Sequence, residues 1–213
     1  MFAAVVGLLS ISTRGAAQPA VLRRLNFDRL QLAALGASAG AIQISQVNRT
    51  SIYAIGADYG EIAPEWRVVF GVSYWSSRYT DGAVQTFVDS LNSYIGGSTP
   101  RVQPSPVSLY DVTFSMEFRW MPAYSGEIKP FLGVGLAGHV IDAEGKLING
   151  TFVERALDNI TAGVIASAGA QLRLVRHFGI EGIVRGDLLS GFRSLQIRAG
   201  GNYLFGHVRG ARS

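Results

Sequence analysis

Cysteine is absent from the 213-residue chain, lysine occurs only at Lys129 and Lys146, and no apolar run is long. The first absence excludes a disulfide-stapled scaffold and any Cys-ligated zinc or iron–sulfur centre. The second leaves a basic excess built of scattered arginines, which forms no nucleic-acid-binding patch. The third excludes a helical membrane protein. Stretches such as Ala3–Leu9 and Leu32–Leu35 fall far short of the ~20 residues a spanning helix needs. Charge is scarce as well: 16% of the residues are charged and the net charge is +4, where a soluble domain carries ~25%. Hydrophobic residues make up 48% of the chain and glycine supplies 26 positions, so the chain is not a disordered one. It is apolar, weakly charged and glycine-rich, and its apolar side chains must be spread in some way other than runs.

The N-terminus, Met1 to Ser12 followed by Gly15-Ala16-Ala17, reads as the short apolar core and small-residue cleavage site of a secretory signal covering residues 1–17. An ordinary buried strand or helix is the alternative. Export without cysteine points to a bacterial envelope. A short segment, 18–29, then leads into a domain over 30–205, and 206–213 form a C-terminal tail.

Within that domain the apolar residues recur with period two, not 3.6. From Ser108 to Pro122, one parity reads Tyr110, Val112, Phe114, Met116, Phe118, Trp120, and the other Asp111, Thr113, Ser115, Glu117, Arg119. A strand places each set on one face. The pattern predicts eight strands, at 30–43, 51–61, 66–79, 107–122, 128–142, 159–175, 178–189 and 193–205. No helices alternate with them, which excludes a parallel βαβ sheet. The links alternate in length, so the long ones, 80–106 and 143–158, fall at one end. The expected fold is therefore all-β: an eight-stranded antiparallel up-and-down (meander) barrel.

Alternation alone does not decide which face is inside. A soluble lipocalin-like ligand-binding barrel buries the apolar parity, and a transmembrane barrel exposes it to lipid. Three features favour the transmembrane case. The polar parity is crowded with glycine (Gly56, Gly71, Gly133, Gly135, Gly163, Gly169), as a narrow lumen requires. It also carries balanced charge: Asp58, Asp111, Glu117, Glu181 and Asp187 against Arg67, Arg119, Arg173, Arg185 and Arg198, expected to pair and plug the lumen. The apolar parity carries aromatics suited to the lipid interfaces: Tyr53, Tyr59, Tyr74, Tyr110, Phe118, Trp120, Tyr203 and Phe205.

These alternating strands, the exporting leader, and a last strand from Gln196 to Phe205 with Tyr203 and Phe205 on its apolar face resemble the small eight-stranded bacterial outer-membrane barrels. That group includes the OmpA membrane domain, OmpX and OmpW. The resemblance implies a location in the bacterial outer membrane. It also implies contact with outer-membrane lipid, and recognition of the terminal aromatic strand by the barrel-assembly machinery. The family usually ends at that aromatic, whereas this chain continues from Gly206 to Ser213.

Residues suited to chemistry are few. Of the three histidines, His139 lies on the polar parity near Asp142, His177 in a short turn and His207 in the tail. No metal or cofactor site is expected. There is no Gly-x-Ser-x-Gly nucleophile elbow, phosphate loop or dinucleotide fingerprint. Some barrels of this size are lipid A deacylases or acyltransferases. Should this chain be one, His139 with Asp142 would be the suspects, although a satisfied structural pair is the plainer reading. The long loops are the expected place for an extracellular ligand, and within the first, Val84, Phe87, Val88, Leu91 and Tyr94 fall at helical spacing. The expected role is structural or surface-interacting, or porin-like transport through a narrow pore. Enzymatic modification of lipid is the alternative.

Overall fold

The computed structural model describes residues 30–95, 103–123, 125–145, 159–189 and 193–205. Residues 1–29, which include the expected signal, the tail after Phe205, and parts of both long loops lie outside these. The elements are β1 (Ala34–Ile44), β2 (Thr50–Ala63), β3 (Trp66–Arg78), α1 (Asp81–Ile95), β4 (Ser108–Trp120), β5 (Ile128–Glu144), β6 (Asn159–Val175), β7 (Phe178–Leu189) and β8 (Arg193–Leu204).

Every strand pairs antiparallel with its chain neighbours, and β1 pairs with β8, closing an eight-stranded barrel. The expected strands are present, with ends displaced by a few residues. The largest displacement is in β1, which starts at Ala34 rather than residue 30. Before it, Gln31 and Ala33 already donate backbone hydrogen bonds to the carbonyls of Tyr59 and Asp58. The barrel is staggered. The paired row Ala34–Asp58–Val69–Glu117–Gly135–Ile165–Asp187–Ser194 returns to β1 at Ile44, ten positions from its start. With strands ~4.8 Å apart and ~3.3 Å per residue, that stagger tilts the strands by about 40°.

The links 45–49, 79–107, 145–158 and 190–192 all lie at one end, here the loop end. The links 64–65, 121–127 and 176–177 lie at the other, the turn end. At the loop end α1 begins after Thr80, whose hydroxyl accepts from the Ala83 backbone at 3.3 Å, with Asp81 in its first turn. Both suit a helix N-terminus. Val88 is buried, Val84 and Leu91 are partly so, and Phe87 is exposed.

Period two orders the two faces. On β4, Asp111, Thr113, Glu117 and Arg119 are buried in the lumen, while Phe114 and Trp120 stand exposed outside. Across the barrel Ile55, Phe70, Leu132, Val134, Leu136, Val164, Val184, Leu188 and Ile197 form a continuous exposed apolar wall. An outward apolar wall around a polar, closed interior is the arrangement for a hydrocarbon solvent, because closure pairs every strand edge. The chain is thus a transmembrane meander barrel.

Candidate functional site: the lumen and its two mouths

The lumen is filled in layers. At the loop end it is apolar: Ile42, Ile44, Ile52, Trp75, Leu109 and Ala143 form one buried cluster with Val47 and Val107, and Tyr79 and Ile141 pack against it. The β7–β8 side of the same depth is occupied by buried Asp187, Ser194 and Gln196. The side chains of Ser194 and Gln196 donate to Oδ2 of Asp187, and Nε of Arg185 reaches its Oδ1 at 2.7 Å. Buried side chains thus fill the lumen from both sides at this level.

Against the underside of the plug lies a buried polar knot. Trp75 Nε1 donates to Asp111 Oδ2 at 2.9 Å, Thr113 Oγ1 donates to the same oxygen at 2.9 Å, and His139 Nδ1 lies 2.9 Å from it. Thr113 Oγ1 is also 3.1 Å from His139 Nδ1. Both the hydroxyl and the carboxylate therefore meet the same ring nitrogen. A nucleophile relay uses the two nitrogens separately.

Nearer the turn end, Arg119 bridges Glu117 at 2.6 Å and Glu181 at 2.8 Å, and its guanidinium lies 4.4 Å from the centroid of the Phe131 ring. Ser167 and Gln171 donate to the same two carboxylates. Asp58 pairs with Arg67 at 2.8 Å. Arg185 and Arg198 both line a cavity of about 70 Å³ together with Glu117, Arg119, Glu181 and the small residues Gly36, Ser38, Ala54 and Gly71.

Of the ten charged residues expected in the lumen, Asp58, Arg67, Glu117, Arg119, Glu181, Arg185 and Asp187 are joined by ion pairs. Three are placed otherwise. Asp111 meets His139, Trp75 and Thr113 rather than an arginine. Arg198 is buried beside Arg185 in the cavity wall. Arg173 stands exposed at the turn-end rim, where the β6–β7 register shifts between Arg173 and Val175. The pairing of His139 with Asp142 is corrected: three residues apart in a strand means opposite faces, so His139 is buried inside and Asp142 is exposed outside. Among the described residues no group of three or more His, Asp or Glu side chains is placed to hold a metal ion.

The aromatics expected at the interfaces all lie on the outward parity. Tyr53, Tyr74 and Tyr110 occupy the loop-end halves of their strands; Tyr59, Phe118, Trp120, Tyr203 and Phe205 lie toward the turn end. Tyr203 packs edge-on against Phe178 at 5.4 Å and Phe205 at 5.1 Å, and Tyr59 against Phe70 at 5.4 Å. The sequence reading missed the apolar plug. Its signal was present, because the inward parity turns from polar to apolar at Ile42, Ile52, Trp75 and Leu109, each near the loop end of its strand.

Closure, meander order and inverted faces define the class of eight-stranded transmembrane barrels, and known outer-membrane proteins share that fold. The chain is similar to the crystal structure of Neisserial surface protein A, with a TM-score of 0.51 and 16% identity over 81% of this chain and 96% of that one. It is also similar to a major outer membrane protein from Thermus thermophilus, with a TM-score of 0.50 and 13% identity over 81% of this chain and 99% of that one. At such identities the likeness is one of fold. No family model matches the sequence, and no curated protein does.

Proposed function

We propose that the protein is a non-conducting barrel of the bacterial outer membrane, a wall element that works through its surfaces rather than through its lumen. The observation that carries this reading is the apolar plug around Trp75, continued by the hydrogen-bonded Asp187 group on the far side. A conducting pore needs an open polar path, and a level filled by a buried apolar cluster on one side and a mutually hydrogen-bonded group on the other opposes ion entry. The loop end, with α1 and the segments 80–106 and 143–158, is the surface offered to an extracellular ligand. Tyr203 and Phe205 on the last strand suit recognition by the assembly machinery.

The test is planar-bilayer recording of the purified full chain, with its fold checked by heat-modifiable gel migration. Silence is the expected result, and unit conductance steps from the folded wild-type protein would overturn the reading. No catalytic role is proposed for His139, since it is buried inside the barrel beneath the plug, away from the outer wall that faces lipid. Lipid A composition unchanged by His139→Ala is the corresponding expectation, and a changed acylation pattern would restore the enzymatic alternative.

A further inference from the structure

Below the plug the lumen is filled unevenly. On β4, β7 and β8 the inward residues are long and charged, among them Glu117, Arg119, Glu181, Arg185 and Arg198. On β1, β2 and β3 they are small: Gly36, Ser38, Ala54, Gly56, Gly71 and Ser73. The small residues leave the cavity of about 70 Å³, and the arginines reach into it. Its carboxylates are already engaged. Asp58 is held by Arg67, and Glu117 and Glu181 share Arg119.

Two buried donors are left over in the cavity wall. Arg185, 3% exposed, gives Nε to Asp187 and Nη1 to Ser115 Oγ, and its Nη2 has no hydrogen-bond partner among the described residues. Arg198, 9% exposed, enters no ion pair among the described residues, and its Nε is likewise without a partner. The register pairs Arg185 with Gln196 and Ile183 with Arg198, so the two arginines are diagonal neighbours on β7 and β8. Diagonal neighbours stand ~7 Å apart, within reach of one small ligand between two long side chains. A buried guanidinium N–H without an acceptor is costly, and an anion is the acceptor that meets it most strongly.

Charge limits what the chamber can take. Glu117 and Glu181 carry one charge more than the Arg119 they share, and this excess offsets Arg198 at longer range. The layer is therefore neutral, and a single added charge is tolerated in it far better than two. The way in lies at the turn end. Gln171 and Asn202 line both the chamber and a mouth of about 130 Å³, where Lys129 and Arg173 stand on the inward parity with one carboxylate, Glu127. A basic mouth raises the local concentration of anions, and the plug closes the far end. We propose that the chamber is a halide site, in which chloride entering from the turn end is held by Arg185 Nη2 and Arg198 Nε and stabilises the folded barrel without crossing it. The blind end of the site rests on the plug that makes the barrel non-conducting.

The test titrates chloride into the full chain in non-ionic detergent micelles and follows chloride magnetic-resonance linewidths, with bromide-soaked crystals of the wild type to locate the ion by anomalous scattering. The variants are Arg198→Gln, Gly56→Val and an exposed loop-end control, Arg78→Gln, all checked for heat-modifiable migration. A Cβ on Gly56 meets nothing nearer than the Phe70 carbonyl oxygen at 3.7 Å, so Gly56→Val fills the chamber and keeps both arginines. The wild type and the control should bind saturably, with bromide between Arg185 and Arg198. Arg198→Gln and Gly56→Val should weaken binding about tenfold or more. Should Arg198→Gln fail to fold, Gly56→Val and the bromide position decide. No saturable binding by the wild type, no bromide between the two arginines, affinity undiminished in Gly56→Val or in folded Arg198→Gln, or an equal loss in the control overturns the proposal. Unit conductance from the folded wild type overturns the plug reading instead, and a silent barrel without halide affinity overturns this site alone.

Discussion

Single residues decide whether the lumen closes. Trp75 both fills the plug and donates to the buried Asp111 carboxylate at 2.9 Å. Trp75→Phe keeps most of the volume and removes the donor, so it should cost about 1–3 kcal/mol. Trp75→Ala adds a cavity and should cost about 3–5 kcal/mol. Urea unfolding of the folded protein in lipid vesicles measures both, and an undiminished stability of Trp75→Phe would show that the hydrogen bond contributes nothing. Glycine is needed just as locally. A Cβ on inward Gly135 would collide with the backbone carbonyl of Met116, whereas one on outward Gly138 meets nothing within 4 Å. Gly135→Ala should therefore impair folding and Gly138→Ala should leave it unchanged, as read by the fraction that becomes heat-modifiable on refolding. At this scale the sequence is a partial guide. Parity told which side of the wall His139 faces, yet its partner Asp111 lies 28 positions away on another strand. No local pattern marks a contact that the barrel's stagger creates.

At the scale of the element, boundaries were legible because alternation ends where the chain must turn. β6 and β7 run over 159–175 and 178–189 as the pattern sets them, with only Arg176 and His177 between. The plug escaped notice because inward positions near the loop end are apolar, so the two parities there look alike by polarity and differ only by position along the strand. Contacts between turns were also illegible. Glu65, in the tight β2–β3 turn at φ 67°, accepts from the Ala123 backbone at 2.9 Å and from Trp120 Nε1 at 3.1 Å, tying two turns together. These bonds, the backbone one first, hold its carboxyl below the usual value of 4.5. A depressed folded-state pKa contributes stability that is complete above the unfolded value and fades as pH falls through the folded one. Glu65→Gln should lower the unfolding midpoint at pH 7 and converge with the wild type in acid below the ordinary carboxylate range. A difference that persists undiminished at low pH would assign the effect to something other than the charge.

At the scale of the molecule, the decisive question is the solvent of the outer wall. The same alternation builds a lipocalin-like barrel or a membrane barrel, and what separates them is which parity carries the glycines and the paired charges. Both lie inside here: Gly133 and Gly135 beside Glu117, and Arg119 between Glu117 and Glu181. Val134 tests the assignment. It sits on the outward parity of β5, 56% exposed, flanked across the sheet by Phe118 and Ala166, near the middle of the apolar band. An arginine at the midplane of a lipid-facing wall costs about 2–4 kcal/mol and less toward the interfaces, while on a wet surface it costs little. Val134→Arg should therefore destabilise the barrel in vesicles by that amount, and Glu144→Arg, at the exposed loop-end terminus of the same strand, should not. Equal and negligible effects at both positions would mean that water, rather than hydrocarbon, faces Val134, and the inside-out assignment would fall with every surface role built on it.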